Sequence, residues 1–184
     1  MGRRAARHRF MPDYYVFPGG RLDAQDYRIM PLSPLKPNVE RLLCDSCRPR
    51  QAQALAVAAV RETYEETGLV LGEVSNESIL PSLEPLDYVL RAITPPASPI
   101  RFHARFFAAE ARFLKGHLKS NGELLDLDWR PIGECLRLPI ADVTEFLLQQ
   151  FGERKGEAAQ GVPLFSFRGG VARVRAVAIR RTAR

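Results

Sequence analysis

Three cysteines, Cys44, Cys47 and Cys135, are scattered over 184 residues. They are too few and odd in number to staple a fold with disulfides, and they fit a chain kept in the reducing cytoplasm. No apolar run approaches the roughly 18 residues of a membrane span, so no membrane partner is expected. The Arg-rich start meets Asp13 and Pro18-Gly19-Gly20 before any apolar stretch, which argues against a secretory leader. Cys44-Asp45-Ser46-Cys47 has the spacing of half a zinc site, but a structural site needs about four ligands and no second pair follows. Acid is missing at both ends. The first twelve residues carry Arg3, Arg4, Arg7 and Arg9, and 168–184 carry Arg168, Arg173, Arg175, Arg180, Arg181 and Arg184, none with a carboxylate between them.

Those ends account for the net charge. Removing their ten arginines from the 27 basic residues leaves 17 against 21 acids, so a chain of net +6 has a mildly acidic interior of −4. A nucleic-acid footprint spread over a folded face would look different, and no nucleic-acid partner is expected. With 46% hydrophobic, 26% charged and 9% aromatic residues, the chain has the composition of one folded domain spanning 1–184.

The pattern along the chain is that of an α/β fold. Tyr14–Phe17 reads as a strand running into a glycine turn. Residues 24–49 hold Pro31, Pro34, Pro37 and Pro49 without a steady period, which predicts a long insertion with one helical turn near Val39–Cys44. Gln51–Thr67 lacks internal Gly and Pro and stops at Gly68, predicting a capped helix. Leu69–Leu71 is a short strand, Leu86–Ile93 a helix, Arg101–Phe113 and Leu124–Trp129 strands. Ile132–Leu138 and Ile140–Phe151 are helices, the second starting near Asp142. Leu164–Phe167 and Val171–Ile179 form a closing hairpin in a C-terminal extension over 162–184. Interleaved strands and helices indicate a layered domain.

The central helix carries the chemistry. Val57, Val60 and Tyr64 share one face, whereas Glu62, Glu65 and Glu66 cluster roughly opposite, with Ala54 and Ala58 adding little bulk on that side. Three gathered carboxylates repel one another unless a cation neutralises them, and hard oxygen ligands select Mg²⁺ or Mn²⁺. Such a site suits phosphoryl chemistry. Acid runs on helices are more often solvated faces, with Arg61 available for local ion pairs.

The neighbouring turn shifts that balance. Phe17-Pro18-Gly19-Gly20, followed by Arg61-Glu62-Thr63-Tyr64-Glu65-Glu66-Thr67-Gly68, resembles the signature of the Nudix hydrolases. The resemblance implies an α/β/α sandwich with a mixed sheet and metal-assisted hydrolysis of a diphosphate linkage. It implies that Glu62, Glu65 and Glu66 bind metal, Glu62 acting also as base in some members. It further implies that Arg61 orients these carboxylates and that the Gly19 carbonyl is a further metal ligand. A later carboxylate completes the site in many members, and Glu123 is the first candidate, Glu110 the second. Gly20, Arg4 and Arg21, beside the glycine loop, are substrate contacts in this scheme, with Arg3 a further basic neighbour.

The sequence departs from the family pattern in several places. Thr63 stands where an aliphatic is usual. The signature has five residues between its glycine and a glutamate that stands eight positions before its arginine; counting back from Arg61 puts Gln53 there, so this carboxylate is expected to be absent. The insertion between Gly20 and the helix, with Phe10-Met11-Pro12, Thr94-Pro95-Pro96 and Arg101-Phe102, resembles the branch that contains coenzyme A diphosphatases. The family's usual first strand is not found in the pattern: either the sequence begins late, or another segment takes its place, with Val171–Ile179 the segment expected to pair there, within the chain or across a homodimer. Coenzyme A or an acyl derivative is the preferred substrate, ADP-ribose or a nucleotide sugar the alternative. Beside the enzyme stand a non-catalytic nucleotide sensor and a basic nucleic-acid binder that rests on the terminal arginines alone. His8, His103 and His117 are expected on the surface or in strands, and Trp129 in the core or at a strand edge.

Overall fold

The computed structural model describes residues 1–7, 11–76, 78–95, 98, 100–153 and 161–178, with only the backbone for 176–178. In chain order the elements are β1 (Gly2–Arg4), β2 (Tyr15–Val16), α1 (Pro37–Cys44), α2 (Pro49–Thr67), β3 (Leu69–Ser75), β4 (Ser78–Pro81) and β5 (Asp87–Ile93). There follow β6 (His103–Ala108), a 3₁₀ turn (Ala111–Phe113), β7 (Leu114–Gly116), β8 (Leu124–Leu125), α3 (Ile132–Cys135), α4 (Asp142–Glu153), β9 (Gly161–Arg168) and β10 (Val171–Ala178). The central sheet has the order β10-β9-β5-β6, flanked by the three-stranded sets β2-β1-β8 and β4-β3-β7. It is mixed, because β9 runs parallel to β5 while β6 and β10 are antiparallel to their neighbours.

One layer of helices covers each face of this sheet. On one side Val39 and Leu43 of α1 and Ala52, Ala56, Val57 and Val60 of α2 pack with Tyr88 and Val162. On the other, Leu147 of α4, with Val143 and Phe146 beside it, packs with Leu90, Ala92 and Phe165. A bulge at Val89, where Tyr88 pairs with Phe107 and Leu90 with Phe106, lets successive β5 residues serve both cores. The result is the α/β/α sandwich expected.

Several expectations about elements are corrected. Leu86–Ile93 is not a helix: β5 is a central strand bonded on both sides, and an apolar run buried on both faces has no alternation to tell it from a buried helix. The strand expected over Arg101–Phe113 is confined to β6, after which the 3₁₀ turn leads into β7. The strand over Leu124–Trp129 stops after two residues, because Asp126 turns the backbone to φ 50°. The helix over Ile132–Leu138 ends at Cys135.

The insertion is part of the core. Leu35, Val39 and Leu43 lie within it and are 7%, 2% and 0% exposed. The helix after it begins at Pro49, a favoured first position, and ends as expected at Gly68, which takes φ 71° and donates its N–H to the Tyr64 carbonyl at 2.8 Å. A side chain there would also press on the His117 carbonyl, so both backbone angle and space require glycine. At the other end of the chain, β9 is the strand that bonds β5, and β10 lies one position further out. Val171–Ala178 thus joins the sheet within the chain through β9, and Ile179 lies outside the described residues.

Candidate active site

The last two turns of α2 bring Arg61, Glu62, Glu65 and Glu66 to one end of the sandwich, where the loop after β2 closes over them. Arg61 is the organising group. Its side chain is 7% exposed and its five N–H donors are shared among five oxygens. Nε and Nη2 donate to Asp26 at 2.8 and 3.2 Å, Nη2 also to the Arg21 carbonyl at 3.0 Å, and Nη1 to Glu62 at 2.9 Å and Glu65 at 3.0 Å. The bonds to Asp26 and the field of Glu62 outweigh burial and hold Arg61 firmly charged.

Asp26 is the residue sequence reasoning missed. It is completely buried, inside a stretch with no periodic signal. The missed signal is the signature's own spacing read forward: with five residues between them, Gly20 is followed by Asp26. The insertion therefore enters the motif after this acid. Counting back from Arg61 across the insertion gave Gln53, which stands outside the Arg61 network; the carboxylate expected to be absent is present at Asp26.

The glycine loop abuts the carboxylates. The Gly19 N–H donates to Glu66 at 2.9 Å, and a Cβ on Gly20 would overlap the Glu62 carboxylate. Glu66 is 5% exposed. Burial pushes its carboxyl up to about 7, the Gly19 N–H and the Arg4 charge pull against this, and Glu62 and Glu123 reinforce it. Burial also raises Glu62, opposed by Arg61 and reinforced by Glu65 and Glu123. Ala54 and Ala58, expected to add little bulk on the carboxylate side, are 1% and 6% exposed, so that side of α2 is packed and only its end presents acid.

The other expected residues divide clearly. Glu123, exposed just before β8, lies within electrostatic reach of both Glu62 and Glu66, whereas Glu110 is taken up by a surface pair with Arg112 at 2.8 Å. Arg4 on β1 reaches the field of Glu66. The Arg21 backbone holds Arg61 while its side chain is exposed. Arg3 pairs with Asp13 at 2.6 Å. His103 lies on β6 against Arg91, and His8 lies outside the described residues. Trp129 is 61% exposed, so it is no core residue. Cys44 and Cys47 are free thiols whose pKa burial raises, and among the described residues no further ligands join them to hold zinc.

Among the described residues no three His, Cys, Asp or Glu side chains stand at metal-ligand distances. The carboxylates are drawn to protein donors instead, Glu62 and Glu65 to Arg61 and Glu66 to the Gly19 N–H. The donor set nonetheless fits a hard divalent cation in kind. It consists of carboxylate oxygens; Glu66 is buried and Glu62 half-buried, burial raises the pKa of both, and the neighbouring carboxylates add to the rise.

Among the described residues no helix is long and apolar enough to cross a membrane. No protein-family model matches the chain. Among solved structures it is similar to a NUDIX hydrolase from Alicyclobacillus acidocaldarius, with a TM-score of 0.61 and 26% sequence identity over 80% of each chain.

Proposed function

For a chain that belongs to the Nudix hydrolase family, as its fold and signature helix together show, we propose divalent-metal-dependent hydrolysis of a diphosphate linkage in a nucleoside diphosphate derivative, with coenzyme A or an acyl-coenzyme A preferred. The observation that carries the proposal is the buried Arg61 holding two glutamates of α2 against the Gly19-Gly20 loop while a third is bonded by that loop. The preference for coenzyme A rests on the sequence resemblance of the insertion to that branch.

Glu62, Glu65, Glu66, Glu123 and the Gly19 carbonyl would hold the Mg²⁺ or Mn²⁺. When bound, the cation supplies positive charge for the non-bridging oxygens of the diphosphate and for an attacking water. Arg61, anchored by Asp26, fixes where Glu62 and Glu65 stand. Glu66, raised by burial to about 7, is suited to accept a proton near neutral pH, and burial raises Glu62 as well. In the reaction a water oxygen forms a bond to phosphorus, the bridging P–O bond breaks with its electron pair on the departing phosphate, and the water's proton passes to a carboxylate. Arg4 and Arg21 line the approach for the substrate's negative charge.

The test is a panel of diphosphate compounds, including coenzyme A, an acyl-coenzyme A, ADP-ribose and nucleotide sugars, assayed with Mg²⁺ and with Mn²⁺. Metal-dependent release of a phosphorylated product that disappears in Glu65→Gln or Glu66→Gln is the expected result. Fastest turnover of ADP-ribose or a nucleotide sugar would reassign the substrate. Metal and nucleotide binding with no turnover of any member would make the protein a sensor.

A further inference from the structure

At the other end of α2 the sheet carries a second concentration of charge, made of arginines. Tyr88 pairs with Phe107 and Arg91 with Arg105, so these four side chains belong to the sheet face that α1 covers. Arg91 also pairs with Leu164 of β9, and Leu164 with Arg175 of β10, which sets three arginines in one row across four strands. Like charges directly opposite on paired strands destabilise a sheet. None of the ion pairs among the described residues involves Arg91, Arg105 or Arg175.

Two buried polar atoms beside them lack partners. The Tyr88 hydroxyl and Arg105 Nε make no hydrogen bond among the described residues, although Tyr88 is only 7% exposed. An orphaned buried hydroxyl destabilises the fold unless something occupies it. The neighbours are disposed to orient guanidinium groups. Arg91 Nε donates to His103 Nε2 at 2.6 Å, burial and the charges of Arg105 and Arg91 hold that imidazole's pKa down, and Arg105 donates to the His103 carbonyl at 3.2 Å and to Ser46 Oγ at 3.3 Å. The carboxylate of Asp45 acts on Tyr88, and among the described residues it forms no ion pair with Arg91 or Arg105.

Ser46 precedes α2 by three residues, so this cluster lies beside the start of the helix whose end holds the acids. At 1.5 Å per residue the two are separated by roughly 20 Å. We propose that Arg91, Arg105 and Tyr88 form an anion site, separate from the carboxylate site, that binds a phosphate group, with Arg175 adding charge from the neighbouring strands. Two guanidinium forks and a hydroxyl match the several acceptor oxygens of a phosphate dianion, and its charge relieves the repulsion across β5 and β6. The phosphate is either free orthophosphate or the phosphomonoester of a larger molecule. A polynucleotide is disfavoured, because exposed aromatic rings for stacking bases are absent from this face among the described residues.

The test uses the full chain in EDTA, so that no cation at the carboxylates can recruit phosphate, and its outcome is therefore independent of the hydrolase assignment. Orthophosphate and adenosine monophosphate are titrated against chloride of equal ionic strength, followed by unfolding temperature and by ³¹P line width. Saturable binding is expected, weakened about tenfold or more in Arg91→Gln and Arg105→Gln, weakened in Tyr88→Phe, and unchanged in Arg21→Gln. Equal affinity for the two ligands identifies free phosphate as the source, tighter monophosphate binding an esterified one. In phosphate-free buffer Arg91→Gln should unfold at a higher temperature than wild type, since one of two opposed charges is gone. Undiminished binding in Arg91→Gln and Arg105→Gln, a lower unfolding temperature for Arg91→Gln, or binding of single-stranded RNA without any response to phosphate would overturn the proposal.

Discussion

Arg61 and Asp26 are 35 residues apart in the sequence and joined by two hydrogen bonds of 2.8 and 3.2 Å, with the aspartate wholly buried. Removing one partner of such a pair leaves a buried charge uncompensated, at a cost of about 3–5 kcal/mol. Asp26→Ala should lose stability of that order in denaturant titration. Its turnover should fall as well, because the guanidinium that places Glu62 and Glu65 is no longer anchored. Unchanged stability in this variant would show that Arg61 is held by its other acceptors alone.

Gly20 separates site geometry from folding. Because a Cβ there meets the far end of the flexible Glu62 side chain and not backbone, Gly20→Ala can be accommodated by moving that carboxylate. The expected outcome is a small change in unfolding temperature with a loss of turnover of about tenfold or more, equivalent to about 1.4 kcal/mol of barrier. Equal losses of stability and activity would count against the placement of Glu62 at the reacting centre.

Glu66 gives the metal-free protein a pH signature. Its carboxyl is raised from 4.5 to about 7 in the fold, so the unfolded chain ionises first. The protonated form is accommodated without penalty below pH 4.5, and stability is lost as pH rises from there through 7, by an amount on the order of 3 kcal/mol. His103, lowered to about 4 by burial and by Arg105 and Arg91, acts in the opposite sense as pH falls. The comparison is therefore wild type minus Glu66→Gln in EDTA, which cancels the histidine. The difference should grow in favour of the variant between pH 4.5 and 7, and added Mg²⁺ or Mn²⁺ should narrow it. A flat difference across that range would contradict the burial of an ionisable Glu66.

Leu43 tests what the insertion is for. It is fully buried against α2 and the sheet, so Leu43→Ala should cost about 2–5 kcal/mol in chemical unfolding. A cost near zero would make the segment an appendage after all.

How far the sequence could be read depended on whether the signal was local. The α2 helix, its Gly68 terminus, the acids at its end and the hairpin of β9 and β10 were all legible, because helix propensity, capping and turn chemistry act over a few neighbours. The strand β5 was not, since a run buried on both faces carries the same apolar pattern whether helical or extended.

The sequence by itself determined which groups the site has: the glycine loop, one arginine and the glutamates of a single helix, at spacings that any α-helix would bring to one end. Only the tertiary structure decided that Asp26 is the acid that anchors Arg61, that Glu123 and not Glu110 reaches the glutamates, and that Arg91, Arg105 and Arg175 share a row across four strands. Those relationships cross a long insertion or separate strands. They are set by burial and strand register, which depend on the whole chain being packed at once.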